Sequence, residues 1–465
     1  MIKAFLRDLV WMDEARLTPH TVYFIKNDLT IVPRATSEFG DAPEPIRLYK
    51  QAHGEIGVPK FYFRDILRLK ASEKFELEID PRIGLHKLRP LEFTPTLRPE
   101  DQAPDFRDFL TRLRAQQGFG GGIFSAYTSY GKSIFSSKLI HELGLKTLLL
   151  VHTNPLREQW LENIPEYLPG IKAVPLDGLK TDFHNADVVI ATLQSLMGER
   201  SDKYPEEFFR AFGTVIGDEI HRFGGAQFGS VIQKFASRYN VGVSGTVRRA
   251  DGCEKVFYYC TGQILTVANE TNRLRPLIWV KDSGFQGYVR PTMKKPFALG
   301  KLVECRYRNA TIANDIFRAK KQGRSPLVVS DRLEALEQIS YMVKQLAKQE
   351  GLEFSHGFFT GAVKKEDRKL AQNADIIFAT QSIAKEGIDI KHLDTLFLVT
   401  PNSDTEQVAG RIVRRKNKFP PVVVDYVDSK VSIFYRSYHS RRKLYEKLQF
   451  KIKGIEEVEA ARRQR

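Results

Sequence analysis

Residues 122–133 read GIFSAYTSYGKS, an apolar run that leads through a turn into a helical pattern. A phosphate-binding loop needs this order, because backbone N–H groups at a helix start then point at the bound anion. Glycine permits the close turn, lysine neutralises phosphate charge and the serine hydroxyl can ligate Mg²⁺. Ala126 replaces the usual first glycine, and a Gly-Lys-Ser sequence also occurs as a plain helix cap. The residues predicted to contact a nucleotide are Thr128, Ser129, Tyr130, Gly131, Lys132 and Ser133.

A pair of carboxylates follows a second apolar run, at residues 214–221 (TVIGDEIH). The carboxyl edge of a parallel sheet binds ligands, so Asp218 and Glu219 are predicted to lie beside the phosphate loop. Asp218 is expected to hold Mg²⁺ together with Ser133, and Glu219 to orient and deprotonate an attacking water. An exposed Asp-Glu pair at a helix start is the alternative, which the preceding apolar strand disfavours.

Apolar runs alternate with helical stretches on both sides of these motifs. Buried strands of a parallel sheet read as continuous apolar runs, and strand–helix–strand order implies right-handed crossovers. The pattern predicts an α/β fold with two tandem parallel-sheet lobes and a small N-terminal α+β domain. The predicted strands are 122–126, 147–151, 187–191, 214–217 and 240–243, then 327–330, 354–359, 376–379, 395–399 and 422–426.

Composition shifts predict five segments along the chain. These are an N-terminal domain at 1–88, a first lobe at 89–282, a linker or loop at 283–300, a second lobe at 301–440 and a basic helical tail at 441–465.

Two of these segments carry finer predictions. In the N-terminal domain, residues 21–34 are predicted to form two short strands around an Asn-Asp turn, and residues 46–49 and 60–63 further strands. In the linker, Phe285 and Tyr288 are candidates either for packing or for wedging a duplex fork.

The chain carries a large excess of positive charge, with a formal net charge of +16 over 465 residues and a pI of about 9.5. Lysine and arginine displace counterions from phosphate backbones, so this balance fits a polyanionic partner. Residues 411–465 contain 16 Lys and Arg against 6 Asp and Glu. Within them, Arg441, Arg442 and Lys443 are expected to attract nucleic acid or to form a solvated helix.

Other features argue against several protein classes. The apolar share of 42% is ordinary for a globular protein, and no run approaches the ~18 residues of a membrane span. Lys3 and Arg7 interrupt any apolar core of a secretory signal. We therefore expect a soluble, cytoplasmic protein. The three cysteines match no zinc-binding spacing and are expected to be reduced.

The ordered set of motifs resembles superfamily 2 of the helicases, over about 320 residues. Residues 149–156 (LLVHTNPL), with Gln159 and Trp160, look like its motif Ia. Residues 218–221 (DEIH) resemble its DExH motif II, and residues 244–246 (SGT) its motif III. Residues 379–390 (ATQSIAKEGIDI) are similar to motif V, and residues 407–414 (QVAGRIVR) to motif VI. The resemblance implies two RecA-like lobes, ATP and Mg²⁺ as cofactors, and a nucleic-acid partner.

The same resemblance implies roles for further residues. Gln102 would read the adenine, and Gly387 and Asp389 would line the nucleotide cleft. Arg411 and Arg414 would stabilise charge on the transferring phosphoryl group. The residues that would couple the nucleotide to the nucleic acid are His221, Ser244, Thr246 and Gln407. The residues that would contact the nucleic acid, each of which also fits an ordinary turn or cap, are Thr153, Asn154, Thr192, Gln194, Ser330, Gly361, Thr380 and Gln381.

A narrower resemblance, carried by residues 32–34 (VPR) and 56–60 (IGVPK), is to bacteriophage DNA branch-migration helicases of the UvsW and RecG-like kind. It implies a monomeric DNA helicase or translocase that acts on forked and junction DNA in the host cytoplasm, in replication, recombination or repair. Its N-terminal domain would bind duplex DNA. An RNA helicase is the alternative, because the DExH motif occurs in both groups. A non-catalytic DNA-binding scaffold is a third hypothesis, which the intact set of catalytic residues disfavours.

Overall fold

The computed structural model describes residues 1–34, 44–223, 225–245, 251–290, 292–361, 363, 367, 370–386, 390–401, 405–413 and 417–463. The chain divides into two compact units, Met1–Asn272 and Arg273–Arg465. None of the described helices is long and apolar enough to cross a membrane.

The first unit is built around a parallel sheet with seven strands among its described residues. From one edge to the other they are Ala173–Pro175, Val188–Thr192, Thr147–Val151, Thr214–Asp218, Tyr239–Ser244, Gly120–Ser125 and Ile264–Val267. The five predicted strands are confirmed to within a few residues. The two edge strands were not predicted, because they are short and partly exposed and so lack a continuous apolar run.

Helices connect these strands and cover both faces of the sheet. They are Gln102–Arg114, Lys132–Leu143, Asn154–Tyr167, Glu199–Asp202, Glu206–Arg210, Gly225–Ile232 and Glu254–Thr261, with short 3₁₀ turns at Gly178–Lys180, Leu193–Leu196 and Ile220–Arg222.

The N-terminal residues form a mixed sheet of their own. Its strands in spatial order are Lys50–Ala52, Glu55–Val58, Val10–Asp13, Ile2–Leu6 and Phe75–Ile79, and a separate pair joins Thr30–Ile31 to Ile46–Arg47. The remaining elements are helical, at Glu14–Arg16, Pro19–Asp28, Lys60–Tyr62, Phe63–Leu67 and Arg68–Lys70.

Two strand predictions in this region are wrong. Residues 19–28 form a helix, because Thr18 caps it by accepting a hydrogen bond from the N–H of Thr21 and Pro19 occupies its first turn. Residues 60–63 are also helical, since buried aromatic residues there pack against the first lobe instead of alternating across a sheet.

The N-terminal domain shares its hydrophobic core with the first lobe. Phe61 packs against the first strand of the lobe, where a side chain at Gly121 would collide with its ring. The ammonium group of buried Lys60 donates hydrogen bonds to the carbonyl oxygens of Phe235 (3.2 Å) and Ser237 (2.8 Å). The two parts are therefore packed as one body, which explains the run of small glycines at residues 120–122.

The second unit contains another parallel sheet, again with seven strands among its described residues. In spatial order they are His356–Phe359, Ile376–Thr380, Pro326–Ser330, Thr395–Leu398, Val422–Val427, Leu277–Asp282 and Ile452–Lys453. Its helices are Lys295–Glu304, Arg306–Lys321, Leu333–Gln349, Gln381–Glu386, Glu406–Ala409, Ser432–Lys447 and Ile455–Arg463. The predicted α/β class with two parallel-sheet lobes is confirmed.

Three predictions for the second unit need correction. Leu277–Asp282 pairs with Val422–Val427, so the first lobe ends before residue 282. The tail is not wholly helical, because Ile452–Lys453 adds a strand beside Leu277–Asp282. Arg441 is not a solvated cation, since it is 1% exposed and its guanidinium bonds the buried carboxylate of Asp425 at 2.8 Å.

Candidate nucleotide site

The phosphate loop connects the strand Gly120–Ser125 to the helix Lys132–Leu143. Ser129 and Gly131 have φ angles of 72° and 103°, which curl the backbone ahead of the helix. A Cβ at Gly131 would lie 2.5 Å from Nε2 of Gln102, so both the angle and the space require glycine. The sequence order expected of a phosphate-binding loop therefore has the expected geometry.

Residues before and within the helix Gln102–Arg114 hold this loop in place. Nε2 of Gln102 donates a 2.7 Å hydrogen bond to the carbonyl oxygen of Tyr130, and Oε1 accepts one from the N–H of Arg98 at 3.0 Å. The buried Tyr130 hydroxyl donates to Asp105 at 2.8 Å. In this structure Gln102 and Tyr130 therefore hold the phosphate loop in shape. The sequence motifs in which the two residues lie did not predict this role.

The two predicted carboxylates lie next to the loop. Asp218 ends the strand Thr214–Asp218, and Glu219 follows in a left-handed conformation with φ of 50°. The ammonium group of Lys132 lies 2.7 Å from Oε1 of Glu219 and 3.3 Å from the carbonyl oxygen of Ala126. The N–H of Gly245 donates to Oε2 of Glu219 at 3.4 Å. Lysine and glutamate, 87 residues apart in sequence, are thus brought together at the carboxyl edge of the sheet.

Asp218 is 5% exposed and accepts a 2.9 Å hydrogen bond from Nε1 of Trp160. Burial, followed by the neighbouring charge of Glu219, raises the pKa of Asp218 to about 6. Burial also disfavours ionised Glu219, but Lys132 and His221 outweigh it and lower the pKa of Glu219. One carboxyl group is therefore easily protonated and the other is held as an anion.

His221 connects this pair to the next strand. Its Nδ1 lies 2.7 Å from Oγ of Ser244 and 3.3 Å from Oε2 of Glu219. Burial lowers the pKa of His221 to about 4, so the ring is neutral near pH 7. The structure thus brings His221 and Ser244, two of the predicted coupling residues, into contact, while Thr246 lies outside the described residues.

These features fit a magnesium nucleotide. The curled loop exposes backbone at a helix start, where an anion is favoured, and a lysine stands at that helix start. The carboxylate of Asp218 and the hydroxyl of Ser133 are the oxygen ligands that Mg²⁺ prefers, and Mg²⁺ often takes only one or two of them from protein.

Four predicted nucleic-acid contacts of the first unit line a single open cavity of about 510 Å³. Thr153 and Asn154 come at the start of the helix Asn154–Tyr167. Thr192 ends the strand Val188–Thr192, and Gln194 follows it. The cavity is also lined by the cations Arg157, Arg200 and Lys203. The structure therefore gathers residues that are 41 positions apart along the chain onto one basic surface.

The contacts predicted in the second unit come at the carboxyl ends of its strands. Ser330 and Thr380 end neighbouring strands and are paired in register. Gln381 is 6% exposed at the start of the next helix, and Gly361 is exposed shortly after the strand His356–Phe359. Ser330 is fully buried and its Oγ accepts the N–H of Arg332 at 3.0 Å, so its side chain supports the loop.

The motif VI residues are described in part. Gln407 lies in the helix Glu406–Ala409. Nε of Arg411 donates to the carbonyl oxygen of Ala384 at 2.9 Å and Nη2 donates to that of Lys385, so this side chain binds the helix of motif V. Arg414, Gly387 and Asp389 lie outside the described residues.

Trp160 and Asp105 are the functional candidates that sequence reasoning missed. Trp160 belongs to the segment that resembles motif Ia, which was its only signal. Asp105 carried no signal, because its partner Tyr130 is 25 residues away and the loop brings them together.

Several known proteins are similar to this chain. Residues 96–249 match the family described as type III restriction enzyme, res subunit. A protein of Acanthamoeba polyphaga mimivirus named as an ATP-dependent RNA helicase, L396, is 28% identical over 93% of this chain and 83% of its own length. Helicase D10 of Escherichia phage T5 is 28% identical over 71% of each chain.

Two solved structures are also similar. The helicase Lhr of Mycobacterium smegmatis, bound to ssDNA and AMP-PNP, covers 72% of this chain and 48% of its own, with 16% identity and a TM-score of 0.51. The crystal structure of T4 UvsW covers 97% of this chain and 98% of its own, with 19% identity and a TM-score of 0.38. This chain is thus similar to viral helicases and, over residues 96–249, to the type III restriction enzyme family, which agrees with the resemblance of its motifs to superfamily 2 and with its two parallel-sheet lobes.

Proposed function

We propose that this protein is an ATP-dependent DNA helicase or translocase that unwinds or branch-migrates forked and junction DNA. The observation that carries the enzymatic part is the 2.7 Å ion pair between Lys132 and Glu219 beside a curled phosphate loop. A scaffold without catalysis has no need of a lysine and two adjacent carboxylates at one sheet edge, because bringing two like charges together, with Asp218 buried, costs free energy.

Each residue of the site has a distinct task in this proposal. Lys132 leaves Glu219 to contact the β- and γ-phosphates, which frees that carboxylate to orient and deprotonate water. Asp218, aligned by Trp160, and Ser133 would hold Mg²⁺. The ion would supply positive charge against the negative charge that develops on the transferring phosphoryl group. Thr128, Ser129, Tyr130 and Gly131 supply the loop backbone.

Motifs V and VI of the second unit are proposed to act on the same nucleotide. Arg411 and Arg414 are proposed to stabilise the transition-state charge, with Gly387 and Asp389 on the facing edge and Gln102 next to the adenine. His221, Ser244, Thr246 and Gln407 would pass the state of the nucleotide to the nucleic-acid track. Opening and closing of two lobes is a common way to couple hydrolysis to movement.

DNA is the proposed substrate, with the N-terminal domain binding its duplex part. The net charge of +16 supports a polyanionic partner of either kind. The resemblance of residues 32–34 and 56–60 to phage DNA branch-migration helicases favours DNA. An RNA helicase is the second candidate, favoured by the name of the mimivirus relative. We further propose that the protein acts as a monomer in the cytoplasm of a host cell.

The test is the ATPase rate without nucleic acid and with single-stranded DNA, duplex DNA, forked DNA, a four-way junction and single-stranded RNA. We expect the strongest stimulation from the branched DNAs, with separated or exchanged strands as products. Stimulation by RNA alone would assign the protein to the RNA helicases. An ATPase rate that no nucleic acid changes would contradict the coupling role of the motifs, even if the ATP site is correct.

A further inference from the structure

Phe285, which follows the first strand of the second unit, belongs to a small hydrophobic core of that unit. Phe285 is 4% exposed and packs with Ala298, Leu299 and Leu302 against residues of the helix Ser432–Lys447 and its approach. The earlier wedge hypothesis therefore does not apply to Phe285, whose ring is a packing group. Phe285 and the helix Lys295–Glu304 are therefore held together by this small core.

The exposed side of the same segment is aromatic and basic. Tyr288 is 77% exposed and Phe297 is 70% exposed, although large aromatic rings are normally covered. Residues 286–300 contain three cations and no Asp or Glu. We call the exposed aromatic and basic residues of this segment the aromatic ridge; they are Tyr288, Arg290, Lys294, Lys295 and Phe297.

The helix of the ridge begins beside the residues predicted to contact nucleic acid in this unit. Nη2 of Arg332 donates a 2.9 Å hydrogen bond to the carbonyl oxygen of Pro296, and the N–H of Arg332 also bonds Ser330. Burial raises the pKa of Asp331, while the nearby charges of Lys295, Lys385 and Arg332 act to lower it. Lys295 and Lys385 therefore both lie near the loop that follows Ser330.

We propose that the aromatic ridge binds single-stranded DNA and extends the nucleic-acid track of the second unit beyond Ser330 and Gln381. Aromatic rings stack on any base and lysines attract the backbone, which is the combination found in sequence-independent single-strand binding. A protein partner fits less well, since protein interfaces are depleted in lysine relative to the rest of the surface. The inference rests on the proposed DNA substrate.

The test measures binding of a fluorescent thymidine 20-mer by anisotropy at several salt concentrations. Phe297→Ala and Tyr288→Ala should each weaken binding about fivefold or more, and Phe297→Trp should restore it, because the large ring keeps its stacking surface. Lys294→Gln should reduce the slope of log affinity against log salt by about 0.7, the value for one phosphate contact on a single strand.

Matched controls separate the ridge from general surface effects. Tyr341 is another exposed aromatic, at 64%, and Lys301 lies in the same helix as Phe297 but pairs with Glu304 at 2.8 Å. Tyr341→Ala and Lys301→Gln should leave affinity and salt slope unchanged. Thermal unfolding midpoints equal to wild type would show that the ridge variants are folded.

The outcomes distinguish the two proposals. If the wild-type protein binds the DNA and the ridge variants bind it with the same affinity, only the ridge proposal is overturned. The ridge proposal would also be overturned if the ridge variants lost affinity for a uridine RNA 20-mer but not for the DNA. A wild-type protein that binds no DNA at all would overturn the proposed substrate together with the ridge.

Discussion

The indole N–H of Trp160 donates a 2.9 Å hydrogen bond to Oδ2 of Asp218, which lies 58 residues further along the chain. The helix of motif Ia thus aligns the carboxylate that is proposed to hold the metal. Trp160 is 1% exposed and packs in the core of the first lobe, so its position is fixed by the fold.

Replacing Trp160 with Phe should keep most of this packing and remove the hydrogen bond. We expect ATP turnover to fall about tenfold, since a hydrogen bond to a charged group contributes about 1.5–3 kcal/mol. The bond lowers the pKa of Asp218, which is about 6, so its loss should move the acidic limb of the pH–rate profile to higher pH. Trp279→Phe, at a half-exposed tryptophan of the second unit, is the control. Unchanged turnover and an unchanged acidic limb would contradict the alignment role.

Lys132→Ala should abolish ATP hydrolysis and leave DNA binding largely intact. The variant removes the cation proposed for the phosphates and leaves the half-buried carboxylate of Glu219 without its 2.7 Å partner. Lys138→Ala is a matched control, because Lys138 lies in the same helix and pairs with Glu142 away from the loop. Steady-state ATPase and DNA-binding assays check the prediction, and near-normal turnover by Lys132→Ala would rule out the assigned site.

Arg414→Ala should lower turnover more than ATP affinity. An arginine that contacts only the transition-state charge contributes roughly a thousandfold or more to turnover in related phosphoryl transfers. The measurement is kcat and the nucleotide dissociation constant, obtained separately. A loss of affinity with turnover intact would make Arg414 a ground-state ligand.

His356 should make the second unit less stable in acid. Burial lowers the pKa of His356 to about 4 from its usual 6.5, while Nδ1 lies 2.7 Å from Oγ of Ser340. Between these two values the unfolded chain binds a proton that the folded chain does not, so the free energy of unfolding falls as pH decreases from 6.5 towards 4. From pH 7 to pH 5 the loss is about 2 kcal/mol.

Denaturant titrations of wild type and His356→Gln at both pH values measure this effect. The variant should lose about 2 kcal/mol less stability than wild type on going from pH 7 to pH 5. Equal losses would show that His356 is protonated in the folded state.

Arg441→Ala should destabilise the second unit by about 3–5 kcal/mol, because it leaves the carboxylate of Asp425 buried and unpaired. That carboxylate also accepts a 3.0 Å hydrogen bond from the hydroxyl of Tyr445. The neighbouring Arg442 pairs with Glu446 on a more exposed surface, so Arg442→Ala should cost less than about 1 kcal/mol. Equal denaturation midpoints for the two variants would refute the structural role of Arg441.

The central strands were predictable because each is an uninterrupted apolar run. Thr147–Val151 is an example, buried at every residue, and its bounds were predicted without error. The phosphate loop was predictable for a similar reason, since a strand, a turn and a helix follow one another within 25 residues. Local order along the chain was sufficient for both.

Where a polar or aromatic residue goes depends on partners that are distant in sequence. Residues 19–28 have strand-like composition but form a helix because a cap and a proline start it. Arg441 was expected in solvent because its neighbours are charged, yet Asp425 lies within 2.8 Å. Neither the partner nor its distance is visible in a local pattern.

The residue types and their order thus sufficed for the two parallel-sheet lobes and for the lysine and carboxylates expected at the nucleotide. Only the tertiary structure decided which groups surround them, as with Trp160 on Asp218 and Asp105 on Tyr130. The physical reason is that periodic burial is a property of neighbouring residues, whereas a hydrogen bond across the sheet forms only after the crossover helices have packed.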